Sequence, residues 1–336
     1  MSFREPLYVG PVHSEPIHVV QLTSDDVLAQ AEALPFWSQE YTQLDKGEFS
    51  GAVTSVSCHG VQLFRETMNR AVDEIASAPA NSYVVGLPTI IEGTASWGLQ
   101  PLSRDSLITL DKNTELMFRT SHLSEITATV IAADRLEAYA EKVERVDLSK
   151  LMSKVKPVET IKPELADRLC NILIGGAQHI MDINSSEQAL KIWRHLEDDL
   201  LDAVMQSLMQ VSENPIRNNE HRIHRHIVNR VRELTLMNQD QMLSIGDLCR
   251  ALNISRRTLN HAFTRVLGIT PVAYIRNVRL QRIREELQSS AFQVTTIADV
   301  AAKWGFWHMS LFSRYYRELF GECPNETLQR SRTINI

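Results

Sequence analysis

Two clusters of side chains in the last third of this 336-residue chain have types and spacing suited to reading a nucleic acid. In "SRRTLNHAFTRV" (255–266), helical spacing sends Leu259, Phe263 and Val266 to one side. Arg256, Arg257, Asn260, His261 and Arg265 go to the other. An arginine fork matches the paired acceptors of guanine, an asparagine amide matches adenine, and arginine also grips phosphate. In "MSLFSRYYRELF" (309–320), Phe312, Tyr316 and Phe320 form the apolar stripe. Met309, Ser310, Ser313, Arg314 and Arg317 lie opposite. The aromatic residues of "WGFWHMSLFSRYY" (304–316) are thus mostly core, Trp304, Phe306, Phe312 and Tyr316 in particular. Trp307 and His308 flank a turn, and their role is left open.

The elements that must hold these clusters repeat. "SIGDLCRALNISRRTLNHAFTRVLGITP" (244–271) and "TIADVAAKWGFWHMSLFSRYYRELFGECP" (296–324) align at an offset of 52 before the turn and 53 after it. Each copy predicts a short helix, Ile245–Leu252 or Ile297–Trp304, ending at Asn253 or Gly305, residue types that tolerate left-handed backbone. One apolar residue, Ile254 or Phe306, then plugs the angle before a second helix, which Ser255 caps in the first copy. Helix, tight turn and helix is the arrangement whose second helix enters a major groove. Between the copies, "TPVAYIRNVRLQRIREELQSS" (270–290) predicts a helix with one apolar face: Val272, Ile275, Leu280, Ile283 and Leu287. Its length of roughly 25–27 Å would hold two reading helices about one DNA turn apart.

Charge divides the chain in the same place. Residues 1–220 carry 18 Lys and Arg against 32 Asp and Glu, whereas residues 221–336 carry 17 against 9, with Lys303 the only lysine among them. Such asymmetry points to a nucleic-acid-binding module joined to something else. The polar stretch "SENPIRNNE" (212–220) reads as the linker. Upstream, residues 50–133 break into short Val/Ile/Thr-rich segments punctuated by Gly, Pro and Asn, as in a small barrel or sandwich. Helices follow, from about Pro163 to Met181 and over 187–210, where Ile192, Leu196, Leu200, Val204 and Leu208 form a stripe that needs a partner. The expected fold is therefore α+β in two domains: 1–211 with a β-barrel and helices, a linker at 212–221, and an all-α domain at 222–332. Its helix-turn-helix units fall at 245–266 and 297–320.

Other constellations are weaker. "HRIHRH" (221–226) lacks a completing carboxylate or cysteine at ligand spacing, so it reads as a basic helix start near a DNA backbone. The carboxylates of "LEDDLLD" (196–202) read as a solvated helix face. Cys58, His59, Arg65, Glu66, Trp97 and Arg119 are candidates for lining a ligand pocket in the barrel. Nucleophile-elbow, phosphate-loop and dinucleotide motifs are absent, so no enzyme, metal or cofactor is expected. Scattered cysteines, the lack of a long apolar run, and a proline-interrupted start lead to the expectation of a cytoplasmic protein.

The layout resembles the DNA-binding domain of AraC-type transcriptional regulators over roughly residues 222–330. The likeness rests on "IGDLC..LNISRRTLNHAF", "LGITP...IRNVRL" and "IADVA...GF...S.FSRYYRELFG..P". By position it implies base readers at Arg257, Asn260 and His261 in the first unit. In the second it implies Met309, Ser310, Ser313 and Arg314, with an apolar contact to a thymine methyl the role open to Met309. Arg256, Arg265 and Arg317 are left for the DNA backbone. A looser likeness, through "KWGFWHMSLF", "CPNETLQR", "EFSGAVTSV", "VQLFRETMNRA" and "NSYVVGLP", is to the ethanolamine-utilisation operon regulator subgroup, and it transfers no effector. The expectation is a sequence-specific transcription activator that binds double-stranded DNA as a homodimer, with RNA polymerase a candidate partner. Its N-terminal half either senses a small molecule or serves as a ligand-independent dimerisation module.

Overall fold

The computed structural model describes residues 16–112, 114–212, 220–237, 243–289 and 296–334. Most of the expected linker lies outside them. The N-terminal half is built on two facing antiparallel sheets. The larger runs in the order β1 (His18–Ser24), β3 (Gly51–Cys58), β4 (Val61–Met68), β11 (Leu123–Ala132), β6 (Ser82–Glu92), β9 (Ser106–Leu110), β12 (Val158–Thr160). The smaller runs β2 (Ser38–Gln43), β5 (Val72–Ser77), β10 (Leu116–Arg119), β7 (Ser96–Trp97), β8 (Gln100–Pro101). Strand alternation divides the larger sheet's side chains. Phe64, Val84, Ala128 and Val130 point into the barrel. Leu63, Val85 and Ile131 point out, beneath α4 (Pro163–Met181) and α5 (Ser186–Ser212). The first hairpin turns on His59 and Gly60, with φ of 49° and 74°, the left-handed pair that a two-residue type I′ turn needs.

The stripe on α5 is absorbed within its own domain. Leu200, Val204 and Leu208 are buried against the barrel and α4, with Ile192 and Leu196 packed partly into the same core. Of the carboxylates in 196–202, Glu197 pairs with Arg135 and Asp202 with Arg168, so only Asp198 and Asp199 form a solvated face. No described helix is long and apolar enough to cross a membrane.

The C-terminal half is helical: α6 (Glu220–Met237), α7 (Ile245–Leu252), α8 (Arg256–Leu267), α9 (Pro271–Ser289), α10 (Ile297–Lys303), α11 (Met309–Phe320) and α12 (Pro324–Ile334). Helix α9 corrects the expectation of a one-faced rod. Tyr274, Ile275 and Val278 belong to the core of the first helix-turn-helix unit, and Leu280, Ile283 and Leu287 to that of the second. Asn277, Gln281 and Arg284 are buried as well, whereas Val272 is 54% exposed. A helix covered on nearly every side has lost its amphipathic signature, which is why the one-face reading failed.

The third covering of α9 is the outer face of the smaller sheet. In the β2–β5 ladder Tyr41 pairs with Glu74 and Thr42 with Asp73, so neighbouring side chains alternate between barrel interior and helical domain. Asp73 accepts from Arg225 Nη1 at 2.9 Å and from Tyr274 Oη at 2.7 Å. Glu40 pairs with Arg232 and Arg282. Asn277 donates to the carbonyl of Gln43 at 3.2 Å, and Gln43 Nε2 donates to the carbonyl of Leu319 at 2.6 Å. Asp26 caps α1 (Val27–Ala31) while binding Arg284 Nε at 2.9 Å and Gln288 at 2.6 Å. Arg225 is thus committed to the barrel rather than to a DNA backbone, correcting that part of the reading of "HRIHRH". Residues 221 and 222 lie outside the described side chains.

Removing one partner of a buried ion pair leaves the other charge uncompensated, at a cost of about 3–5 kcal/mol. Asp73→Ala is therefore expected to loosen the docked α9, seen as faster amide exchange over residues 271–289 with barrel exchange unchanged. Unchanged exchange in α9 would show that this pair does not hold the two halves together.

Candidate nucleic-acid interface

Both helix-turn-helix units follow the expected geometry. Ser244 opens α7 with a reciprocal capping box to Asp247, and Thr296 opens α10 the same way with Asp299. The Ser-x-x-Asp and Thr-x-x-Asp spacings in the sequence are the local signal of these caps. The first unit turns at Asn253 (φ 51°) and the second at Gly305 (φ 83°), both left-handed as anticipated. Ile254 and Phe306 plug their cores partly buried. Ser255 caps α8 by accepting from the Thr258 amide at 3.0 Å, whereas α11 starts at His308 without a side-chain cap. The second short helix stops at Lys303, and Trp304 becomes its C-cap, 3% exposed, with Nε1 donating to Glu286 at 2.7 Å.

On α8 Leu259, Ala262, Phe263 and Val266 are fully buried, and Arg256, Arg257, Asn260, His261 and Arg265 are all exposed. The first predicted face is therefore one continuous surface. His261 is partly committed: its Nδ1 lies 3.2 Å from Nε2 of His224 on α6, so one ring donates to the other.

On α11 Phe312, Tyr316, Leu319 and Phe320 are buried, with Phe306, Phe312, Tyr316 and Phe320 stacked in sequence at centroid separations of 4.7–5.7 Å. Met309, Ser310 and Arg314 are exposed, and Ser313 is half-buried beside them. Arg317 is exposed at the far end of the helix, where its Nη2 lies 2.8 Å from Cys323 Sγ, apart from the exposed residues of the first turns. Leu311, 37% exposed, joins the Met309–Arg314 surface and was missed, since an apolar residue in a helical pattern reads as core. Trp307, undecided from the sequence, is 75% exposed at the tip of the turn. Tyr315 is held between Arg276 of α9, 4.2 Å from its ring centre, and Arg314 at 5.3 Å, which ties α11 to α9.

Residues 248–330 match the family described as "Helix-turn-helix domain". Over 95 residues the chain is 36% identical to the "XylDLEGF operon transcriptional activator 3" of Pseudomonas putida, a stretch that covers 28% of this chain and 29% of that activator. Over the matched residues the chain carries a helix-turn-helix domain. The chain spans about three-tenths of the length of that curated relative. It is 25% identical over 160 residues to the "Probable thc operon regulatory protein" of Rhodococcus erythropolis, 47% of each chain. Among solved structures, a probable AraC family regulator from Rhodopseudomonas palustris CGA009 is 37% identical, with 32% of this chain and 98% of that one covered and a TM-score of 0.30. The two helix-turn-helix units, 245–267 and 297–320, both fall within or beside the matched residues.

The barrel candidates fare differently. Cys58 is buried on the helix-covered outer face, and His59 sits in the hairpin turn. Arg65 reaches outward to Glu125, Arg119 bonds Thr94 at 3.1 Å, and Trp97 packs at the edge of the barrel core. Glu66 alone of the six lines the interior cavity. No cluster of metal-ligating side chains occurs among the described residues.

Because Phe312 anchors the second unit with no exposed surface, Phe312→Ala is expected to cost about 3–5 kcal/mol. Amide exchange should show protection lost over 297–320 and kept over 245–267. Equal loss in both units would mean that α9 makes them one cooperative body.

Proposed function

We propose that the chain is a sequence-specific DNA-binding transcription activator, rather than an enzyme, whose N-terminal domain senses a small molecule. The observation that carries the DNA-reading part is the pair of exposed faces, Arg257–Arg265 on α8 and Met309–Arg314 on α11, joined through the same helix α9. That helix has 19 residues and is about 28 Å long, close to the roughly 34 Å between major-groove segments on one face of DNA. In this reading Arg257, Asn260 and His261 contact bases in one segment, and Met309, Ser310, Ser313 and Arg314 in the next, with Leu311 beside them. Arg256, Arg265 and Arg317 hold phosphates. The arginine-rich, lysine-poor make-up favours bidentate contacts over simple charge neutralisation.

Two observations favour a sensor over a ligand-independent dimerisation module. The leucine stripe of α5, which motivated the second reading, is packed inside its own domain, and the barrel keeps an interior cavity. Homodimerisation and contact with RNA polymerase remain part of the proposal as properties of an activator of this kind. Membership of the ethanolamine-utilisation operon subgroup is proposed on the quoted motifs alone.

Selection of random 40-base-pair duplexes by the full-length protein at about 150 mM salt tests the reading. Enrichment of two short motifs one helical turn apart is expected, doubled if the protein is a dimer; absence of any enriched motif would contradict it. On the selected duplex, Arg257→Ala is expected to cost about 1–3 kcal/mol and relax preference at one base pair. Arg317→Ala should weaken all sequences alike and flatten the salt dependence. Identical behaviour of the two variants would overturn the division into base and backbone contacts.

A further inference from the structure

Between the two sheets lies a cavity of about 40 Å³, walled by Trp37, Phe64, Phe118 and aliphatic side chains and containing two carboxylates, Glu66 and Glu74. Both are nearly inaccessible, at 4% exposure each. Every other carboxylate buried to this degree in the described structure has a charged or backbone partner close by: Asp73 meets Arg225, Asp26 meets Arg284, and Glu125 meets Arg65. Glu66 and Glu74 meet none. Glu66 accepts from Gln30 Nε2 at 2.9 Å and from Tyr41 Oη at 3.1 Å, all neutral donors. Glu74 faces Tyr41, Gln39 and Glu66 itself. The remaining cavity strands, β6, β9, β10 and β11, contribute no titratable group to the lining. Desolvation pushes the Glu66 carboxyl up to about 7, and desolvation together with the Glu66 charge pushes Glu74 well above the usual carboxylate range. Burying two such groups without a counter-charge is costly, and an apolar lining would serve an empty core better.

We propose that this cavity binds a small organic cation, with Glu66 and Glu74 as its counter-ions and the Trp37, Phe64 and Phe118 rings as its walls. The volume holds about three waters, hence an ammonium group with only a few carbons. Aromatic faces attract such a cation as well as cover its apolar part. The apolar walls, and the lack among the described residues of any group of three or more metal-ligating side chains, favour an ammonium over a bare metal ion. The proposal rests on the reading of the N-terminal domain as a sensor and adds the chemical class that it senses. Occupancy would also act on the wall that carries Asp73 next to Glu74, one side chain facing the ligand and its neighbour gripping the DNA-binding domain.

Titration calorimetry on the full-length protein with methylammonium, ethylammonium and trimethylammonium chlorides tests it. Ethanol and propan-2-ol serve as neutral matches, and potassium and magnesium chlorides as inorganic ones. At least one organic cation is expected to bind saturably, with affinity rising from pH 6 to pH 8 as the carboxyls lose their protons. Glu66→Gln and Glu74→Gln, isosteric changes whose folding circular dichroism checks, should each weaken it by about tenfold or more. Saturable binding by an alcohol but no ammonium would overturn the cationic class and leave the sensor reading standing. Equal binding of potassium or magnesium would overturn it in favour of a metal site. Undiminished ammonium binding in both glutamine variants would place the site elsewhere, and no binding by any probe would count against the sensor reading and the class together.

Discussion

Helix α9 is the constraint on which the remaining geometry depends. Its first half supplies core residues to one helix-turn-helix unit, its second half to the other, and its remaining sides carry Asn277, Arg282 and Arg284 to the barrel. A straight α-helix has a fixed rise per residue, so the separation of the exposed faces of α8 and α11 is set by the number of residues between their anchors rather than by a flexible link. Arginine suits this position because its long stem covers apolar surface while its fork satisfies a carboxylate, and Arg284 does both, with its guanidinium also 4.6 Å from the Phe320 ring centre.

The barrel takes part in this arrangement through one sheet used on both faces. Alternation along β2 and β5 places Tyr41 and Glu74 inside while Glu40 and Asp73 face the helices. The layers therefore succeed one another in the order α4 and α5, the seven-stranded sheet, the cavity, the five-stranded sheet, then α9. A rearrangement inside the barrel has a two-residue path to the DNA-binding domain, and the contacts along it are charged and buried, hence sensitive to small displacements.

How legible this was depends on the range of the interactions. The helix-turn-helix units came through in the sequence because caps, left-handed turns and four-residue aromatic steps are local, and the repeat stated them twice. The sandwich was visible from residue 50 onward through turn-punctuated strands, whereas β1 and β2 were missed because "HVVQLTS" and "SQEYTQ" carry polar residues that the fold spends on edges and on the interdomain face. Arg225 was misread because a basic residue in a basic domain suggests DNA, and only the tertiary fold reveals an acidic sheet opposite, whereas α9 was misread because burial on several sides erases its amphipathic signature. Glu66 was picked out among six barrel candidates, but its partner Glu74 gave no signal, since strand pairing brings them together from separate segments.

Hydroxyl-radical footprinting of the full-length protein on a selected duplex tests the central claim, that one rigid helix sets two readers one DNA turn apart, most directly. Two protected segments on one face of the duplex, about 10–10.5 base pairs centre to centre, are the predicted result. A single protected segment, or two whose separation varies from one duplex to another, would contradict it.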